Sequence, residues 1–155
     1  MKSPWICLGA LLPGLLWLSC QTRSATTTDT TGQTTAAAEA ARTCYGYTSA
    51  NDTIRLTLVR TGDDVTGDLT YQLSGKDRNT GTITGLMQQD TLLARYSFQS
   101  EGVESAREVA FLVRGDTLRE GYGPVSEQNG TMRFTDKAKL TFGSGFPLAK
   151  QACTE

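Results

Sequence analysis

The chain has 155 residues, with 15 Lys/Arg against 16 Asp/Glu and no His. This near-neutral balance has no basic stripe to neutralise phosphates, which argues against a nucleic-acid partner. The absence of His removes the commonest metal ligand and the commonest general base. Composition therefore points to a binding or structural protein rather than an enzyme, with no catalytic residue, metal site or cofactor to name.

The first segment reads as a targeting signal, not as fold. Lys2 supplies a positive start, and Pro4 to Leu18 is apolar throughout, interrupted by Pro13-Gly14. A membrane span needs roughly 20 apolar residues, so this shorter, broken run fits a secretory signal over residues 1–19. Cys20 follows Trp17-Leu18-Ser19. A small residue and then Cys at the end of such a run resembles the lipobox of bacterial lipoproteins. The resemblance implies cleavage before Cys20 and acylation of Cys20, hence a membrane partner through a lipid anchor. Stable anchoring takes more than one acyl chain, which lipoproteins of this type carry. The residues after the Cys are Gln21-Thr22-Arg23-Ser24, without the acidic run that marks surface export in some bacterial lipoproteins. The expected location is the cell envelope, on the outer membrane facing the periplasm.

Residues 20–42 read as the lipidated Cys and a flexible Thr/Ala-rich linker. The stretch Ala25 to Ala38 has no large apolar residue and cannot bury enough surface to offset its ordering entropy. Ala36 to Arg42 could form one or two helical turns, which are marginal in isolation.

Residues 43–155 form a single domain, long enough to bury one core. Cys7 leaves with the signal and Cys20 takes the lipid, so Cys44 and Cys153 remain, one at each end of this domain. Outside the reducing cytoplasm they are expected to form a disulfide. In the chain-entropy picture, closing a loop of roughly 100 residues contributes about 4.7 kcal/mol.

Almost every signal in the domain is a strand signal. Ile54, Leu56 and Leu58 alternate with Arg55 and Thr57. After a turn at Thr61-Gly62-Asp63-Asp64, Val65, Gly67, Leu69, Tyr71 and Leu73 share a face. Ser74 to Asn79 is a polar turn, and Thr80 to Met87 a strand whose glycines mark bends or bulges. Thr91 to Val113 is the longest strand pair, with a polar turn at Ser100 to Ser105. Leu92, Ala94, Tyr96 and Phe98 share one face, and Val109, Phe111 and Val113 share theirs with Arg107. Leu118 to Gly123 is a further strand, Ser126 to Gly130 a turn and Thr131 to Thr135 a strand. Lys139 to Phe142 offers another strand, and Leu148 to Cys153 closes the chain. Asn51-Asp52-Thr53-Ile54, Gln89-Asp90-Thr91-Leu92 and Gly115-Asp116-Thr117-Leu118 repeat one turn-to-strand device: Asp for the turn, Thr for strand entry, an aliphatic for the core.

These elements predict an all-β, antiparallel up-and-down meander of eight to ten strands. A bridge between Cys44 and Cys153 requires the first and last strands to be neighbours, which favours a calycin- or lipocalin-like β-barrel over a β-sandwich. An eight-stranded barrel can be filled by side chains or hold one small ligand. If the Arg107 face is inward, Arg107 lies near one mouth beside Glu101 and Glu104 of the turn. Tyr71, Tyr96 and Tyr122 line the same space, and Glu120 shares the face of Tyr122. That set would bind a small amphipathic molecule or a protein partner. The alternative is a filled barrel, an envelope structural or inhibitor-like module in which the Tyr rings are core. A hydrolase built on Glu101 and Glu104 is the distant third reading, since a spacing of three in a loop is no signature.

The stretches Asn79 to Gly85 and Tyr96 to Ser105 resemble a family of small, uncharacterised bacterial envelope lipoproteins. The resemblance implies the lipoprotein class and no particular activity.

Overall fold

The computed structural model describes residues 40–154. The signal segment, Cys20 and the linker up to residue 39 lie outside the described residues. In chain order the strands are β1 (Ala41–Thr48), β2 (Thr53–Thr61), β3 (Asp64–Gln72), β4 (Asn79–Gln88), β5 (Thr91–Ser100), β6 (Val103–Arg114), β7 (Thr117–Gly121), β8 (Val125–Gln128), β9 (Thr131–Phe134) and, after a 3-10 turn at Lys137–Lys139, β10 (Pro147–Gln151).

Eight of these strands close into an antiparallel barrel. Neighbours run β1 to β7 in sequence, then β10, which pairs back onto β1. The first and last strands meet as the cysteines require: Cys44 and Cys153 form a disulfide with Cα atoms 5.2 Å apart, 109 residues apart in sequence. The barrel has two distinguishable ends. The near end carries the start of β1, the end of β10 and the tight turns after β2, β4 and β6. The far end carries the β1–β2, β3–β4 and β5–β6 connections and the excursion between β7 and β10.

Alternation explains which side chains point inward. Ile54, Leu56, Leu58, Val65, Leu69, Tyr71, Ile83, Leu92, Tyr96, Val109 and Phe111 are all buried in one core cluster. The three Asp-Thr-aliphatic entries work as read: Ile54, Leu92 and Leu118 are each at most 1% exposed. The turn residues add a further contact. The carbonyls of Asp63, Asp90 and Asp116 accept from the amides of Met87, Val113 and Lys150, so each turn also ties down the strand beyond its own hairpin.

Two strand glycines set the curvature where β5 wraps over β4. A Cβ at Gly81 would land on the Ser97 carbonyl oxygen and 2.5 Å from the Phe98 Cα. One at Gly85 would strike the Leu93 carbonyl and lie 2.5 Å from the Ala94 Cα. Backbone occupies the space a side chain would need, and the barrel bends there.

Four local features differ from the sequence reading. Ala41 and Arg42 belong to β1, paired with Arg60 and Val59, rather than to the linker or a helical turn. The polar run Ser100–Ser105 contracts to a two-residue turn, Glu101-Gly102, both at positive φ (48° and 80°), the geometry of a tight hairpin turn matched to strand twist. Ser126 to Gln128 forms strand β8, with the turn confined to Asn129-Gly130. Lys139 to Phe142 is not a strand but a 3-10 end and one bridge, Tyr122 to Thr141.

The β8–β9 excursion covers the outer face of β6. β9 runs parallel to β6 at Ala106 and Arg107, and the Glu108 carboxylate accepts from the Phe134 amide at 2.9 Å while facing Arg133 at 3.7 Å and Lys137 at 4.0 Å. Ala110, on the same outer face, is fully buried.

The close approach at Gly81 predicts a specific cost. Gly81→Ala forces β4 and β5 apart and should destabilise the domain by about 2 kcal/mol or more. Urea unfolding measures it as a lower midpoint, and an unchanged midpoint would contradict the packing described.

Candidate functional site

The inward face of the far end ends in a polar cluster resting on aromatic rings. Tyr96, from β5, stacks on Phe98 with centroids 4.7 Å apart and packs edgewise on Tyr71, from β3, at 6.0 Å. The Tyr96 hydroxyl donates to the Leu69 carbonyl at 2.9 Å, so this ring is anchored core. Arg107, from β6, lies over the rings. Its guanidinium carbon is 5.1 Å from the Tyr71 centroid, 5.6 Å from Tyr96 and 5.7 Å from Phe98. Each contact of this kind contributes about 0.5–2 kcal/mol depending on desolvation.

The partner of Arg107 is Glu120, from β7. Its carboxylate oxygen Oε1 lies 3.9 Å from Arg107 Nη2, and Oε2 accepts from the Tyr122 hydroxyl at 3.1 Å. Register explains the meeting: Arg107 stands opposite Tyr96, and Phe111, two inward positions along β6, stands opposite Glu120. Arg107 is partly open to solvent, whereas the Glu120 side chain is 9% exposed.

Glu101 and Glu104 do not join the cluster. Both are exposed. Glu101 sits in the turn, and Glu104 pairs with Gln99 on the outside of the barrel. There it lines an open groove of about 490 Å³, together with Thr80, Thr82, Ser97 and the hairpin tip at Gly130. Of the six residues expected to line a mouth, the structure brings together Tyr71, Tyr96, Arg107 and Tyr122, and leaves Glu101 and Glu104 outside.

A smaller cavity of about 240 Å³ lies at the mouth, lined by Tyr71, Arg107, Glu120 and Tyr122, with Leu73, Lys76, Asp77 and Asn79 from the β3–β4 connection. Leu73 follows from its place on the Tyr71 face; Lys76, Asp77 and Asn79 were not expected at a site. The signal for those three is position: a polar turn that directly follows inward-facing Tyr71 must stand over the same end. Asp52 fixes the base of that turn by accepting from the Ser74 amide at 2.8 Å.

Burial sets the electrostatics. Glu120 is pushed above the usual carboxylate range by desolvation, opposed by hydrogen bonding and by the Arg107 charge. The Tyr71 hydroxyl is held well above its ordinary value by burial, then by the Glu120 charge. Burial, with Glu120, also raises Tyr122 to about 12. The cluster thus sets the Arg107 guanidinium against a buried Glu120 carboxyl, among phenols that burial holds toward their neutral form.

Comparison with protein-family models, curated proteins and solved structures gives no match to this chain.

A carboxyl whose pKa is raised by folding holds its proton more tightly when folded than unfolded. Its contribution to stability is therefore lost as pH rises from the ordinary value of 4.5 through the raised one. Urea unfolding of the wild type and Glu120→Gln at a series of pH values measures it. The wild type should lose stability relative to the variant across that window. A difference that does not change with pH would contradict the assignment.

Proposed function

We propose that this chain is a non-enzymatic, lipid-anchored envelope protein whose barrel is a filled scaffold and whose recognition surface is the far end. The observation that carries this reading is the interior itself. Leu69, Leu92, Tyr96, Phe111 and Leu118 are all 0% exposed, and the aromatic stack under Arg107 fills the space that a lipocalin-like ligand would occupy. The filled-barrel reading is therefore preferred to an amphipathic ligand in the lumen. The mouth cavity, at about 240 Å³, falls below the roughly 300–1,000 Å³ of pockets for drug-sized ligands. It suits one small polar group, free or presented by a protein partner.

Location and anchoring rest on separate support. The Cys44–Cys153 disulfide belongs to an oxidising compartment outside the cytoplasm. The apolar segment ending at Cys20 supplies the export and lipidation signals. The chain enters the barrel at the near end, where β1 begins, and the Arg107–Glu120 cluster lies at the other. The proposed setting is the periplasmic face of the outer membrane.

Metabolic labelling with a palmitate analogue tests the anchor. The wild-type chain should take the label, and Cys20→Ala should take none. Equal labelling of the variant would overturn the assignment of Cys20.

A further inference from the structure

The Arg107–Glu120 pair is incomplete as a salt bridge. At 3.9 Å it is about 1 Å longer than a charge-assisted hydrogen bond of roughly 2.7–2.9 Å. Arg107 Nε is buried without a hydrogen-bond partner. Glu120 engages Tyr122 through Oε2 alone, leaving Oε1 toward the guanidinium. A buried polar atom left unsatisfied costs about 1–3 kcal/mol, and Arg107 and Glu120 border the same cavity.

The charges around that cavity balance. Arg107 and Lys76 stand against Glu120 and Asp77. A simple anion would gain from the first two and be repelled by the others, and a simple cation would meet the reverse. A small molecule carrying both charges, a few ångströms apart, is complemented at each end. We infer that the mouth cavity binds a small zwitterion, a free α-amino acid, with its carboxylate on the outer guanidinium nitrogens of Arg107 and its ammonium on Glu120 Oε1. Leu73 and the Tyr122 ring border the space left for the Cα substituent, and the cavity volume restricts that substituent to a small one. This inference rests on the reading that recognition takes place at the far end of a filled barrel.

Both halves of the ligand match chemistry already strained by its absence of partners. A carboxylate gives the Arg107 guanidinium the close acceptor that Glu120, 3.9 Å away, does not supply. An ammonium gives Glu120 Oε1 the close donor that Arg107, held over three aromatic rings, does not reach. Lys76 and Asp77, on the exposed rim, add long-range charge of both signs without occupying the cavity.

Nuclear magnetic resonance of the isotope-labelled full chain in detergent micelles tests this directly. Glycine and L-alanine are the probes, and acetate and methylammonium are the two half-ligands. Glycine and L-alanine should saturably shift the Arg107 Nε–H signal and the amides of Tyr71 and Glu120. Each half-ligand should bind at least about tenfold more weakly. Arg107→Gln and Glu120→Gln should each weaken glycine binding by about tenfold or more. Lys76→Gln, on the solvent-exposed rim, should weaken it measurably while leaving the folded spectrum intact, so the proposal stays testable if a buried variant fails to fold. Acetate binding as tightly as glycine, no saturable shift from either amino acid, or Lys76→Gln and a folded mouth variant that bind like wild type would each overturn the inference. Failure of the underlying reading looks different: shifts centred on the core residues Phe111 and Leu118 would show a ligand inside the barrel and count against the filled scaffold itself.

Discussion

The pairing of Cys44, Tyr45 and Gly46 on β1 with Gln151, Lys150 and Ala149 on β10 turns an open meander into a barrel. Without it the sheet would have two long free edges, an invitation to intermolecular pairing. Its inner face would also lose the enclosure that buries Tyr45, Leu56 and Leu148. The disulfide fixes this seam covalently from the outside, joining the first barrel strand to the tail after the last. In a domain of this size a covalent closure of a long loop is a substantial share of the few kcal/mol that separate folded from unfolded chain.

Closure also decides what the interior can be. An eight-stranded barrel leaves room for side chains or for one small ligand, and the buried rings of Tyr71, Tyr96 and Phe111 are what the filled-barrel proposal rests on. The glycines of β4 leave room for the β5 backbone at Ser97–Phe98 and Leu93–Ala94. Arg107 then lies on top of that stack as the transition from core to solvent: its guanidinium faces the rings, and its charge faces Glu120. A carboxylate as buried as Glu120 is tolerated because Arg107 and Tyr122 share its charge, and that incompleteness is what makes the far end the chemically distinctive part of the molecule.

Much of this was legible from alternation alone. The inward faces of β2, β3, β5 and β6 follow from period-two patterning, including the inward placement of Arg107 among Val109, Phe111 and Val113. The cysteine arithmetic required the seam between the first and last strands. Glu104 could have been excluded by the same rule, because it stands three positions from Arg107 on one strand and so faces the opposite way. A polar run from Ser100 to Ser105 looks like a loop, however, and only the positive-φ turn at Glu101-Gly102 shows that the strand already includes Glu104. The Glu120 pairing was harder, since it depends on the register between β6 and β7, which local sequence does not encode. The excursion of β8 and β9 onto the outside of β6 was hidden for a related reason. Its short strands carry weak alternation, and its docking uses Glu108 and Ala110, which read locally as an ordinary solvent face. Cys20 and the segment before it lie outside the described residues.

The central claim is that the barrel is full and that binding belongs to its mouth. A titration of the full chain with a small fluorescent apolar probe such as 1-aminoanthracene tests it most directly. A filled interior predicts no saturable rise in probe fluorescence. Saturable binding displaced by a fatty acid would show an accessible lumen and contradict the account.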